Sequence, residues 1–87
     1  MNSERILEEM LKLLDTAGVE VRSEPLGGGG GGLCKVKGQW MFFLDTQSSA
    51  ADAAALCAEA VCKAVDLENI YIRPEVRDYI EVHAERQ

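Results

Sequence analysis

A chain of 87 residues, 47% of them hydrophobic, supports one domain with a modest core, burying roughly 60–65% of the surface of its unfolded form. Its net charge of −6 argues against nucleic acid, whose affinity rests on Lys and Arg neutralising phosphates, and against anionic membrane surfaces. No segment approaches the roughly 20 apolar residues of a transmembrane helix, and Met1-Asn2-Ser3-Glu4-Arg5 lacks the basic start and apolar core of a signal peptide.

The first element is a helix. Ile6, Leu7, Met10, Leu11, Leu13, Leu14 and Ala17 recur at helical spacing, with Glu4, Glu8, Glu9, Lys12 and Asp15 between them. Asn2 or Ser3 can cap its start and Gly18 can end it, with Glu8 and Lys12 as a favourable i,i+4 pair. Val19 to Glu24 then alternates apolar and polar residues, a half-buried strand stopped by Pro25.

Six glycines follow, Gly27 to Gly32. They satisfy the dinucleotide pattern G-x-G-x-x-G, as any six glycines would. The phosphate-binding use of such a loop needs a helix N-terminus directly after it, and Leu33-Cys34-Lys35-Val36-Lys37 reads instead as a strand. The run is expected to be a flexible loop. Its rival role is an anion nest built from the N–H groups of Gly28, Gly29, Gly30 and Gly31, helped by Lys35 or Lys37.

Leu33 to Lys37 and Trp40 to Leu44 form a hairpin joined by Gly38-Gln39, which suits a type II′ turn. That register places Cys34, Val36, Met41 and Phe43 on one apolar face, with Val19 and Val21 available beside them, and this face is expected to meet the helices. The other face carries Lys35, Lys37, Trp40, Phe42 and Leu44, near Glu20, Arg22 and Glu24. Aromatic rings on a wet face need an explanation. Lysine stems over the rings, the last helix folded onto that side, or a second copy or other protein would each supply one. The third is the leading expectation, and makes Lys35, Lys37, Trp40, Phe42 and Leu44 a candidate interaction face.

Asp45 to Ser49 is a helix-start cluster, with Ser49 and Asp52 close to a capping box. Ala50 to Val65 is an alanine-rich helix whose polar residues, Asp52, Glu59, Lys63 and Asp66, fall in one stripe with a Glu59–Lys63 pair. Ile70-Tyr71-Ile72 is either a short edge strand or an extended connector. Pro74 opens a last helix with Val76, Tyr79, Ile80 and His83 along one side.

The expected fold is therefore α+β in the order α-β-β-β-α-(β)-α: one domain over residues 1–87, with helices packed on one face of a three-stranded antiparallel sheet.

Chemistry-bearing motifs are sparse. The three cysteines, Cys34, Cys57 and Cys62, are an odd number and read as reduced thiols in a cytoplasmic protein. Cys57 and Cys62 lie about 140° apart around their helix, and no Cys-x-x-Cys or His-x₃-His spacing is present, so no metal site is expected. His83 has no identifiable partner, and Ser48 and Ser49 read as caps with no base to activate them. No catalytic residue and no cofactor are assigned.

The segments Gly31 to Gly38, Phe43-Leu44-Asp45 and Tyr71 to Arg77 resemble a family of small uncharacterised bacterial proteins, over about two-thirds of the chain. The resemblance implies a bacterial cytosolic origin and no particular activity. The order of helix, three strands and central helix is also similar to the core of ImmA/IrrE-type zinc peptidases. That likeness implies His-Glu-x-x-His on the central helix, where this chain has Ala58-Glu59-Ala60-Val61-Cys62. Only the glutamate matches, so the likeness is to a scaffold without its metal. The expected function is a non-enzymatic protein-interaction or accessory module that self-associates, the alternative being a small-ligand or anion-binding protein.

Overall fold

The computed structural model describes residues 2–29 and 31–84 and shows an α+β fold. The elements are α1 (Ser3–Thr16), β1 (Glu20–Glu24), β2 (Gly32–Val36), β3 (Gln39–Asp45), α2 (Ala50–Ala64) and α3 (Pro74–Ala84). Ile70-Tyr71-Ile72 is a connector, with Tyr71 81% exposed and Ile72 buried.

Helix ends follow local chemistry. The Asn2 side chain accepts the Arg5 N–H at 2.9 Å, satisfying one of the orphan donors of the first turn. At the other end Gly18 takes φ +85°. Its N–H donates to the Asp15 carbonyl at 3.0 Å, and the Val19 N–H reaches the Leu14 carbonyl at 2.9 Å, which is a Schellman motif. Leu14 and Val19 are both buried, so the cap carries its usual apolar contact. Lys12 pairs with Glu9 at 3.1 Å rather than with Glu8, and this hydrogen bond holds the Glu9 carboxyl below its ordinary range. The Ser49 hydroxyl caps α2 by accepting the Asp52 N–H at 3.1 Å. The Glu59–Lys63 pair is not among the ion pairs of the described residues.

The sheet departs from the antiparallel expectation. Its order is β1-β3-β2, with β3 in the centre, antiparallel to β2 and parallel to β1. The composition of the strands explains the order. Trp-Met-Phe-Phe-Leu is the most apolar strand and takes the doubly paired place, while the charged β1 stays at an edge. The glycine-rich connection spans two strand spacings, about 10 Å, and leaves a slot into which the hairpin returns β3.

The hairpin turn is also shifted. Val36 pairs with Gln39, so the turn residues are Lys37 and Gly38, at φ +51° and +81°. Two positive φ values make a type I′ turn, whose twist matches that of the strands. Gln39, released from the turn, donates its side-chain N–H to the Gly18 carbonyl at 2.7 Å and ties the hairpin to the end of α1.

Register then sets the faces. Val21, Phe42 and Leu33 stand in one row across the three strands. This row points at the helices: Phe42 is fully buried, and Val21, Leu33, Trp40 and Leu44 pack around the core of Ile6, Met10, Leu14, Ala54, Cys57, Ala58 and Val61. Helix α1 lies against β1, α2 lies against β2 and β3, and α3 packs on the two helices. The helices do cover one face, but it is the Trp40, Phe42, Leu44 face and not the Cys34, Val36, Met41, Phe43 face.

Candidate functional site

The residues expected to form an interaction face are divided by the structure. Phe42 is inaccessible, and Trp40 and Leu44 are half-buried beneath the chain's own helices. Only Lys35 and Lys37 remain exposed, at the hairpin tip, with the Lys35 ammonium 5.1 Å from the centre of the Trp40 ring. That contact is a cation–π interaction worth about 0.5–1 kcal/mol at an exposed site. The aromatic rings therefore have cover without any partner.

The opposite, outer face is the uncovered one. It carries Cys34 and Val36 from β2 and Met41 and Phe43 from β3, with Glu20 beside Met41 and Arg22 beside Phe43 on β1. Val36 is 44% exposed and Leu26, in the loop above, 41%. Leu26, Leu33, Cys34 and Phe43 line a shallow open depression with Glu24 at its rim. Arg22 and Glu24 approach to 3.6 Å along that rim.

At the end of the sheet, the glycine loop is tied down by residues the sequence reading assigned to a helix start. Asp45 is almost completely buried, and its Oδ1 accepts the N–H groups of Leu26 and Gln47, each at 2.9 Å. The Gln47 side chain accepts the Gly27 N–H at 2.6 Å, and Thr46 N–H donates to the Glu24 carbonyl at 3.0 Å. The Asp45 bond to the N–H two residues on is an Asx turn, the one local signal that could have marked this carboxylate in advance. Gly31 lies so close to β3 that a β-carbon there would sit 1.8 Å from the Phe43 carbonyl oxygen. Gly30 lies outside the described residues.

Between this loop and the start of α2 is a cleft of about 220 Å³, lined by Gly28, Gly29, Gly31, Leu44, Asp45, Ser48, Asp52 and Leu56. The loop thus does meet a helix N-terminus, though of a helix that begins well after it in the chain. That terminus is already capped by Ser49 and carries Asp52 in its first turn. The charged side chains lining the cleft are two carboxylates, which repel an anion. Lys35 and Lys37 are no help, because Lys35 stands three residues along β2 from Gly32, roughly 10 Å, and Lys37 lies farther still.

The thiols are dispersed. Cys34 is half-buried on the outer face, Cys57 is buried within α2, and Cys62 is exposed. Burial alone pushes the Cys57 thiol up to about 12. No group of three metal-ligating side chains occurs among the described residues. Glu59 is half-buried on α2, where its neighbours at the spacing of a zinc motif are Ala58 and Cys62. His83 stacks on Tyr79 with ring centres 3.9 Å apart, a packing role on α3. Among the described residues no helix is long and apolar enough to cross a membrane.

No family model matches the chain, and no curated protein or solved structure is significantly similar to it.

Proposed function

We propose that this chain is a non-enzymatic protein-interaction module of the bacterial cytosol that associates with a second copy through the outer face of its sheet. The observation carrying this reading is the apolar set Cys34, Val36, Met41 and Phe43 on a sheet face that, among the described residues, stands outside the helix-packed core. Sheets wetted on one side ordinarily carry polar residues there, and an apolar patch rimmed by charge is the usual appearance of a protein contact. Its rim is self-complementary. A two-fold contact sets the same patch against itself, and Arg22 of one copy can then meet Glu20 or Glu24 of the other.

Area sets the strength. Three strands of about five residues span roughly 14 by 16 Å, on the order of 200–250 Å² per copy. A stable interface takes about 800 Å² per partner, so the association is weak and reversible. The rival reading, a ligand or anion site at the glycine loop, has less support. Its cleft falls below the roughly 300–1,000 Å³ of ordinary ligand pockets and is lined by Asp45 and Asp52.

Sedimentation velocity over a concentration series tests the proposal. The wild-type chain should shift from its 9.5 kDa monomer toward twice that mass at high micromolar concentration, and Phe43→Glu should abolish the shift while leaving the circular dichroism spectrum unchanged. A wild type that stays monomeric at the highest attainable concentration would end it.

A further inference from the structure

We propose that the open edge of β2 is a docking strand for an extended acidic segment of a partner protein, which joins the sheet as a fourth strand. The inference rests on the reading of the chain as an interaction module but uses a different surface, the strand edge in place of the outer face.

The backbone provides the first argument. Among the described residues β2 lies at one side of the sheet and pairs with β3 alone. In a hairpin closed by two residues the flanking pair, here Val36 and Gln39, exchanges both hydrogen bonds, and bonding then alternates along the strands. Positions 32, 34 and 36 therefore bond to β3. The N–H and C=O groups of Leu33 and Lys35 point the other way, toward the free edge, where an added strand can take them up.

Charge identifies the occupant. The stretch from Pro25 to Leu44 contains Lys35 and Lys37 and no Asp or Glu, while the rest of the chain has seven basic residues against fifteen acidic ones. In a strongly acidic protein this hairpin is the basic segment, with Lys35 exposed on its edge strand and Lys37 exposed in its turn. A second copy is a poorer occupant, because in full antiparallel overlap of two β2 strands Cys34 meets Cys34 and Lys35 meets Leu33, so neither lysine gains an opposite charge. A carboxylate-bearing strand meets opposite charge in the same positions. Alternation completes the description. Lys35 lies on the opposite face of β2 from Cys34 and Val36 and Lys37 follows in the turn, so the complementary segment sets acidic residues toward Lys35 and the turn and apolar, β-branched ones beside Cys34 and Val36.

The test uses two fluorescein-labelled octapeptides, one alternating Glu with Val and one alternating Lys with Val, titrated with the whole chain and followed by fluorescence anisotropy. The Glu–Val peptide should bind at least tenfold more tightly than the Lys–Val peptide, and more weakly as salt is raised. Lys35→Pro removes an outward N–H and leaves the bonds to β3 in place, and it should weaken binding at least tenfold. So should Lys35→Glu combined with Lys37→Glu, and circular dichroism checks that both variants fold. Phe43→Glu should bind the Glu–Val peptide like the wild type. Equal binding of the two peptides, no binding of the Glu–Val peptide at millimolar concentration, or unchanged binding by Lys35→Pro would each overturn the proposal. So would a self-association that Lys35→Pro abolishes, since a second copy would then fill the edge. Loss of peptide binding in Phe43→Glu alone would move the site to the outer face, refuting edge docking while sparing the interaction-module reading.

Discussion

Cys57 shows how little the identity of a residue says before its surroundings are known. Three cysteines in one chain share a side chain and differ in everything else: one is sealed in the core, one half-covered on the sheet, one exposed on the far side of α2. Spacing along α2 foretold that Cys57 and Cys62 diverge, and α2 places them on its inner and outer sides. Burial keeps the Cys57 thiol protonated to about pH 12, against an ordinary value of 9.0. Burial likewise raises Tyr79, with the nearby Cys57 adding to the effect. Above pH 9 the unfolded chain gives up the thiol proton while the folded chain holds it, so the unfolded state binds fewer protons and stability falls as pH rises. The contribution of Cys57 is intact below pH 9 and is lost between about pH 9 and 12, at about 1.4 kcal/mol per pH unit. Urea unfolding at a series of alkaline pH values should show this decline, and Cys57→Ala should flatten it. In the same chain a thiol reagent should modify Cys62 in the folded protein and Cys57 only after denaturant is added. Rapid labelling of Cys57 without denaturant would mean that α2 opens far more readily than its packing implies.

Elements whose boundaries depend on neighbours in the chain were legible, and elements joined by unconstrained backbone were not. Asn2 and Gly18 bracket α1, and Ser49 and Pro74 open α2 and α3, because capping is a transaction within a few residues. The hairpin was half legible. Lys37-Gly38 and Gly38-Gln39 are both acceptable two-residue turns, and the choice fell to a lysine willing to adopt φ +51°. The glycine run was the opaque part, since its path depends on Asp45 and Gln47, some twenty positions away. Its glycines also differ in what they are for. At Gly31 the missing side chain lets the loop close on β3, whereas Gly29 faces open space with an ordinary φ. Gly31→Ala should therefore destabilise the fold by about 1–3 kcal/mol, as other forced overpacking does. Gly29→Ala should be neutral or stabilising by about 0.4–1 kcal/mol, by restricting the unfolded chain. Denaturant midpoints compare the two directly, and equal effects would mean that the loop is not seated on Phe43.

At the scale of the whole molecule the decisive question was which side of a doubly apolar hairpin turns inward. Pattern alone could not answer it. The two faces, Cys34-Val36-Met41-Phe43 and Trp40-Phe42-Leu44, were correctly partitioned, because a shift of two residues in register leaves every side chain on its own face. Their orientation depends on β1, and β1 reaches the hairpin through glycines that transmit no register. Once β1 pairs with β3 in parallel, Val21 aligns with Phe42 and Arg22 with Phe43. The apolar row then closes against α2, whose alanines allow close approach, and the charged row stays in water. Two adjacent phenylalanines in β3 consequently have opposite duties. Phe42→Ala should cost about 3–5 kcal/mol, the range for emptying a buried aromatic site. Phe43→Ala should cost less than half as much in the monomer, because its ring is only half-buried and lies outside the core cluster. Thermal or urea unfolding at concentrations low enough to exclude self-association separates the two. A reversal, with Phe43 the costly position, would mean that the helices lie on the other side of the sheet and that the Cys34, Val36, Met41, Phe43 face is the core.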